Sequence, residues 1–353
     1  MHKLKILYAI QGTGNGHLSR AEEIVPILKK MANVDVLISG NQSQIHSSFD
    51  IQYKLNGLTF LSSRDGRVDL FRTVIKSSPI QLFKEIKNFE VKKYDLVISD
   101  FEPISAWSAL INGVPCVELS HQAAVLNKNA PQPESKDRIS SYILNHYCPT
   151  QVKYGFHFQK YDERIFTPII RSQIRELNPI KKGHYTVYLP AYDDNVLWQI
   201  LDQFDVEWHV FSKYTKQAYR LNKIQFSPID STNFKRSLEK CEGVICGAGF
   251  ELPSEALFLQ KKLMVIPMIG QFEQACNAES LRKMGVTVLP TFDLVFHRTI
   301  TNWIENNNII PVDYTDYTTE ILSNLIIDYT NKRIPKETFG KIAFDPKFYR
   351  YFL

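Results

Sequence analysis

Short apolar runs recur along the first half of the chain, at residues 4–11, 34–39, 95–99 and 114–119, each bounded by polar turns. Runs of this length suit fully buried strands. Between them lie longer stretches with apolar residues at helical spacing, and helices are predicted to start near His17, Glu102 and Lys136. Strands alternating with such helices predict a parallel sheet covered on both faces. The rhythm begins again after the polar, basic stretch from Arg171 to Gly183, with strands at 185–190, 207–211, 243–246 and 263–267. Helices are expected at 193–203, 231–240, 251–260 and 274–284.

The segment Asn178-Pro179-Ile180-Lys181-Lys182-Gly183 combines Pro and Gly with few apolar residues, which suits an exposed hinge. It divides the chain into an N-terminal unit, 1–180, and a C-terminal unit, 181–335. The remaining 336–353 carries Phe339, Phe344, Phe348, Tyr349, Tyr351 and Phe352 and is expected to dock on the body. The total of 353 residues exceeds the usual size of one domain, and 44% hydrophobic with 22% charged residues excludes disorder.

Charge narrows the partners. A formal net charge of +5 is mild for this length and does not supply the dense basic face that nucleic acid requires. It is compatible with acidic substrates or an anionic membrane surface. The five cysteines, Cys116, Cys148, Cys241, Cys246 and Cys276, form no CxxC pair and read as reduced, buried thiols of a cytoplasmic protein. Met1 leads directly into the first strand, so no export signal is expected, and no apolar run approaches the roughly 18–20 residues of a spanning helix.

Candidate chemistry lies at two glycine-containing turns. Gln11-Gly12-Thr13-Gly14-Asn15-Gly16-His17 follows the first strand and opens a helix, where free amides and the helix dipole favour anions. The spacing is GxGxG, and the second strand ends in Ser39-Gly40-Asn41 without the acidic residue of a dinucleotide site, which disfavours nicotinamide. His17, at the first turn, is a candidate general base, because an imidazole titrates near neutrality. Its bland alternative is a polar residue at a helix start. The second turn, Cys246-Gly247-Ala248-Gly249-Phe250-Glu251-Leu252, again joins an apolar strand to a helix. The amides of Phe250, Glu251 and Leu252 would face a pyrophosphate, with Glu255 one turn on, in reach of a ribose diol. Glu255 reads equally as a solvated first-turn acid. In the next loop, Gln271, Phe272, Glu273 and Gln274 open a helix with groups suited to sugar hydroxyls. There is no cluster of His, Cys or Asp at metal-ligand spacing, and no metal or other cofactor is expected.

Together these residues resemble the GT-B glycosyltransferases, and within them the group around the peptidoglycan GlcNAc transferase MurG. The likeness is dense in Gly12 to Ser19 and in Gly247 to Ala278. It implies an α/β fold of two doubly wound Rossmann-like domains facing across a cleft, with the C-terminal segment packing back on the body. It also implies an inverting, metal-independent transfer of a hexose or N-acetylhexosamine from a nucleoside-diphosphate sugar, UDP-linked, to a hydroxyl acceptor that is lipid-linked or part of a cell-envelope glycan. By position, His17 matches the loop histidine, Glu255 the ribose glutamate, and Glu273 with Gln274 the pair that contacts the donor sugar. Ile229, in Phe226 to Asp230, falls where a loop reads the base. Gly14, Asn15, Gly16, His121 and Gln122 lie on the acceptor side. Asp100 and Glu102 are the candidate orienting or alternative bases, a carboxylate beside an imidazole raising its basicity. The glycine-rich loop that opens the second domain in that group is replaced here by Leu189-Pro190-Ala191-Tyr192-Asp193.

Residues 71–94 mix Leu82, Phe83, Ile86 and Phe89 with Lys84, Lys87, Lys92 and Lys93. That pattern suits either a covering helix with a basic solvated face or a peripheral contact with an anionic membrane. Two further readings stay open: a nucleotide-sugar hydrolase or epimerase on the same framework, and a nucleotide-sugar-binding protein without catalysis.

Overall fold

The computed structural model describes residues 3–12, 15–40, 47–57, 79–134 and 138–335. The first half forms a seven-stranded sheet from β1 (Lys5–Gln11), β2 (Asn33–Ser39), β3 (Tyr53–Leu55), β4 (Leu96–Asp100), β5 (Cys116–Ser120), β6 (Val152–Phe156) and β7 (Ile165–Phe166). Its order is β3-β2-β1-β4-β5-β6-β7, every neighbouring pair parallel. Residues 6–11 of β1 are buried along their whole length, as a central strand covered on both faces requires.

The second sheet contains β8 (His184–Tyr188), β9 (Glu207–Ser212), β10 (Tyr219–Leu221), β11 (Ile224–Pro228), β12 (Gly243–Gly247), β13 (Lys262–Ile266) and β14 (Thr287–Val288). Its order is β10-β11-β9-β8-β12-β13-β14, parallel except for the β10–β11 pair at the edge. Strands β3, β6, β7, β10, β11 and β14 escape the apolar-run reading because they are two to five residues long or interrupted by polar positions such as Lys153.

Helices cover the sheets: α1 (Asn15–Met31), α2 (Pro79–Asn88), α3 (Pro103–Asn112), α4 (His121–Val125), α5 (Arg138–Tyr147) and α6 (Ser172–Arg175) in the first half. The second half holds α7 (Asp194–Leu201), α8 (Ser231–Lys240), α9 (Glu251–Phe258), α10 (Phe272–Lys283), α11 (His297–Glu305) and α12 (Thr318–Thr330). Strand order reverses between β1 and β4 in one sheet and between β8 and β12 in the other. Crevices open at the carboxyl ends of such strand pairs, so topology alone puts ligand positions after β1 and β4 and after β8 and β12.

One apolar cluster joins the halves, running from Ile6, Tyr8 and Leu28 through Phe156 to Val244, Leu257 and Leu325. The outer face of the second sheet has a separate core around Trp208, Phe226, Met264 and Trp303. Helix α12 returns to pack against α1, and Tyr154 Oη donates to Asp328 at 2.7 Å. The docking expected of 336–353 lies outside the described residues. The 178–183 connection is exposed, with Gly183 at φ 79°, and the buried Lys261 ammonium holds it by donating to the Ile180 carbonyl at 2.9 Å. All five cysteines are buried and unpaired.

Candidate active site

Register sets the first half of the site. Ile10 of β1 lies beside Asp100 of β4, so α1, which follows β1, starts next to the Asp100 carboxylate. His17 Nδ1 and Asp100 Oδ1 are 2.9 Å apart. A carboxylate only accepts, so His17 carries its proton on Nδ1 and leaves the Nε2 lone pair free. Arg20, one turn along the same helix face, forks onto Asp100, with Nε at 3.1 Å from Oδ2 and one terminal nitrogen at 2.8 Å from Oδ1. Asp100 is fully buried and Arg20 is 3% exposed. Burial alone would raise the Asp100 carboxyl, but Arg20 and His17 outweigh it and hold it below its ordinary range.

Glu102 is placed otherwise than the expected base role requires. Its carboxylate caps α3, accepting from the backbone N–H of Ile104 at 2.9 Å and of Ser105 at 2.7 Å, and from the Ser39 hydroxyl at 2.6 Å. Fully buried and so occupied, it has no face for a substrate proton. Burial pushes it up, against these hydrogen bonds.

Across the seam, β12 ends at Gly247, and Ala248 is tied to β13 through the Ile266 carbonyl at 3.3 Å. Helix α9 then starts at Glu251 with Phe250 at its N-cap and no side-chain cap, so its first amides are not satisfied by a capping side chain. The two helix starts meet here. A Cβ on Gly16 would lie 3.1 Å from Glu251 Cγ, so glycine permits the approach. Arg20 donates through its other terminal nitrogen to Glu251 Oε1 at 2.7 Å. Burial at this seam pushes the Glu251 carboxyl up to about 7, opposed by Arg20 and reinforced by Glu255 and Asp100. Glu255 is forked by Arg171, with Nε at 2.6 Å and a terminal nitrogen at 2.9 Å.

Helix α10 presents Glu273, Asn277 and Ser280, spaced by a turn each, to the first half. Gln122 Nε2 donates to Glu273 at 2.9 Å, and its buried Oε1 has no hydrogen-bond partner among the described residues. The Gln271 Oε1 atom is likewise buried and unmatched. Gln274 turns inward to accept from the Met268 N–H at 2.9 Å. His121 is buried, stacked on the Phe250 ring at 3.9 Å, with Nδ1 at 2.8 Å from the Phe156 carbonyl and Nε2 at 2.8 Å from Asn277 Oδ1. Burial pushes His121 down, against the pull of Glu273.

The structure thus brings His17, Asp100, Gly16, Gly249, Phe250, Glu251, His121, Gln122 and Glu273 to one seam between the halves. Leu252 is half-buried in the first turn of α9, and Phe272 opens α10. Ile229 stands 48% exposed just past β11, which occupies part of the segment expected to be a loop. The cause is the Ile224 and Phe226 alternation, which buries both against β9. Gly14 lies outside the described residues, and of Asn15 only the helical backbone is described. No motif in the sequence singles out Arg20, Arg171 or Asn277. Arg20 carried a signal, the three-residue spacing from His17; Arg171 carried none, since 84 positions separate it from Glu255.

Of residues 71–94, positions 79–94 are described. Helix α2 exposes Ile80 at 68% and Phe83 at 55%, together with Lys84 and Lys87. No helix among the described residues is long and apolar enough to cross a membrane, and none of their His, Cys, Asp and Glu groups is arranged to hold a metal.

Residues 4–306 match the family model described as glycosyl transferase family 1. Among curated protein sequences none matches the chain. Solved structures share its fold over nearly the full length. Spinosyn forosaminyltransferase SpnP is 14% identical with a TM-score of 0.59, covering 94% of this chain and 100% of its own. MurG of Acinetobacter baumannii is 12% identical with a TM-score of 0.53, over 92% and 99%. UGT2 of Phytolacca americana, solved with UDP-2fluoro-glucose and pterostilbene, is 12% identical with a TM-score of 0.56, over 93% and 99%. The two sheets and their helices are the GT-B arrangement. With its family model matched over most of the sequence, the chain belongs to glycosyl transferase family 1 and is a GT-B glycosyltransferase.

Proposed function

We propose that the protein moves a hexose or N-acetylhexosamine from a UDP-linked donor to a hydroxyl acceptor, with inversion at the anomeric carbon. The carrying observation is the 2.9 Å contact of His17 Nδ1 with buried Asp100, opposite the uncapped start of α9. His17 Nε2 takes the acceptor's hydroxyl proton, and the freed oxygen bonds to the anomeric carbon as the bond to the diphosphate oxygen breaks. The charge that develops on the diphosphate falls to the amides of residues 250–252 and the helix dipole, without a metal in the reading. Asp100 keeps the ring in its productive tautomer. UGT2 was solved with UDP-2fluoro-glucose and pterostilbene together, which supports this division into donor and acceptor.

Glu255, 3% exposed with both oxygens on Arg171, takes the ribose diol by giving up one arm of that fork, and Glu273 and Gln271 face the sugar. The unmatched Gln122 and Gln271 oxygens are acceptors suited to sugar hydroxyls. In this reading residues 1–180 carry the acceptor and 181–335 the donor. The apolar and basic face of α2 makes the contact with an anionic inner membrane surface where a lipid-linked acceptor resides.

Two measurements test the proposal. Calorimetry with UDP, GDP, dTDP and CMP is expected to single out UDP. His17→Ala is expected to bind UDP as the native protein does and to lose transfer by about 10²–10⁴-fold, the usual worth of a general base. Full transfer by that variant sinks the base assignment, and sugar release without any acceptor favours a hydrolase instead.

A further inference from the structure

We propose that Arg20 is the leaving-group contact of this transferase, and that Glu251 is an internal anion that keeps its place until a donor diphosphate arrives. The inference rests on the donor reading of the turn at 247–252.

Its basis is the division of one guanidinium. Arg20 spends Nε and one terminal nitrogen on Asp100, at 2.8–3.1 Å, and both residues are out of solvent. The other terminal nitrogen alone crosses the seam, to Glu251 at 2.7 Å. The Glu251 side chain is 24% exposed, against 3% for Arg20 and 0% for Asp100. Of the two carboxylates sharing this cation, Glu251 is therefore the one that can be displaced.

Position and charge say by what. Glu251 is the first residue of α9, so an anion reaching the amides of that turn comes up against the same guanidinium. Facing Glu251 are Arg20 and His17 of α1, Asp100 at the end of β4, and Glu255 on its own helix, which Arg171 holds. Three carboxylates against two fixed cations leave no room for a further dianion unless one gives up its charge or its place. Burial has already raised the Glu251 carboxyl to about 7, so neutralising it costs little at neutral pH.

In the exchange, Glu251 takes a proton from solvent, and the Arg20 nitrogen that it vacates donates to a donor phosphate oxygen. Arg20 keeps its fork on Asp100 throughout. One side chain then orients the base through Asp100 and receives the growing charge of the leaving group, which couples the two halves of the reaction across the seam.

The test is UDP affinity of the full chain at pH 6 and pH 8, native against Glu251→Gln, a change that keeps size and removes charge. Taking the ratio of variant to native cancels the titration of UDP itself. One group of pKa near 7 predicts nearly equal affinity at pH 6 and about tenfold tighter binding by the variant at pH 8. A ratio that does not change with pH overturns the inference alone. A native chain that binds none of UDP, GDP and dTDP at either pH overturns the donor reading and this inference with it. Arg20→Lys keeps the charge but cannot fork Asp100 and reach α9 at once, so it is expected to bind UDP more weakly at both pH values. A folded variant with native affinity also overturns the assignment.

Discussion

Asp100 and Glu102 stand one residue apart and serve different partners because Phe101 between them takes a left-handed backbone, φ 56°. For a residue with a side chain this conformation costs on the order of 1 kcal/mol. The Phe101 ring is held by stacking on Tyr147 at 4.7 Å, and the chain beyond it by the Glu102 cap. The turn leaves Asp100 at the strand end with His17 and Arg20 and sends Glu102 into its own helix. Glu102→Gln sets an amide NH₂ against a backbone donor, so stability should fall by about 1–3 kcal/mol, read by chemical denaturation. Turnover per folded molecule should not change. A loss of turnover beyond the loss of folded protein would return Glu102 to the chemistry.

At the scale of elements, the five-residue helix α4 carries His121 and Gln122 to the seam, and it packs directly on β6. Gly155 permits this: an added Cβ would sit 2.7 Å from Ala124 Cβ and 2.8 Å from Ile165 Cδ1. Gly155→Ala should therefore cost about 1–3 kcal/mol in denaturation and push α4 off the strand. The His121 bonds to Phe156 and Asn277 would loosen with it. An unaltered denaturation midpoint would show that α4 has slack. The polar residues of α4 and α10 were visible as motif residues, whereas their mutual pairing depends on packing that no local pattern encodes.

For the molecule as a whole, the halves are held by a shared apolar cluster and by polar pairs across the seam: Arg20 with Glu251, Arg171 with Glu255, Gln122 with Glu273, His121 with Asn277. Such pairs set geometry more than they add stability, because desolvation offsets much of their attraction. Global stability should weaken in acid for another reason. In the second half His184 and His209 stack at 3.9 Å, and burial together with the neighbouring His184 pushes His209 down to about 4. A histidine depressed in the folded state binds its proton more readily when unfolded, so its stabilisation is whole above about 6.5 and is lost as pH falls toward 4. Discounted for partial exposure, the loss is about 1–2 kcal/mol. His209→Asn should flatten the acid limb of stability against pH, and an equally steep limb in that variant would rule the pair out as its cause.

Residue order alone makes legible the class of the fold, the central strands and the helix starts that follow them, because buried parallel strands and the helices after them are local patterns. The edge strands were too short to leave such a pattern. Which partner each acid meets is set only by packing. Asp100 meets His17 because β4 lies beside β1, Glu102 is spent on its own helix, and Glu251 and Glu255 are paired with Arg20 and Arg171 from the other half. Those pairings span up to 231 positions, and burial and partnership at that range arise only when two sheets pack.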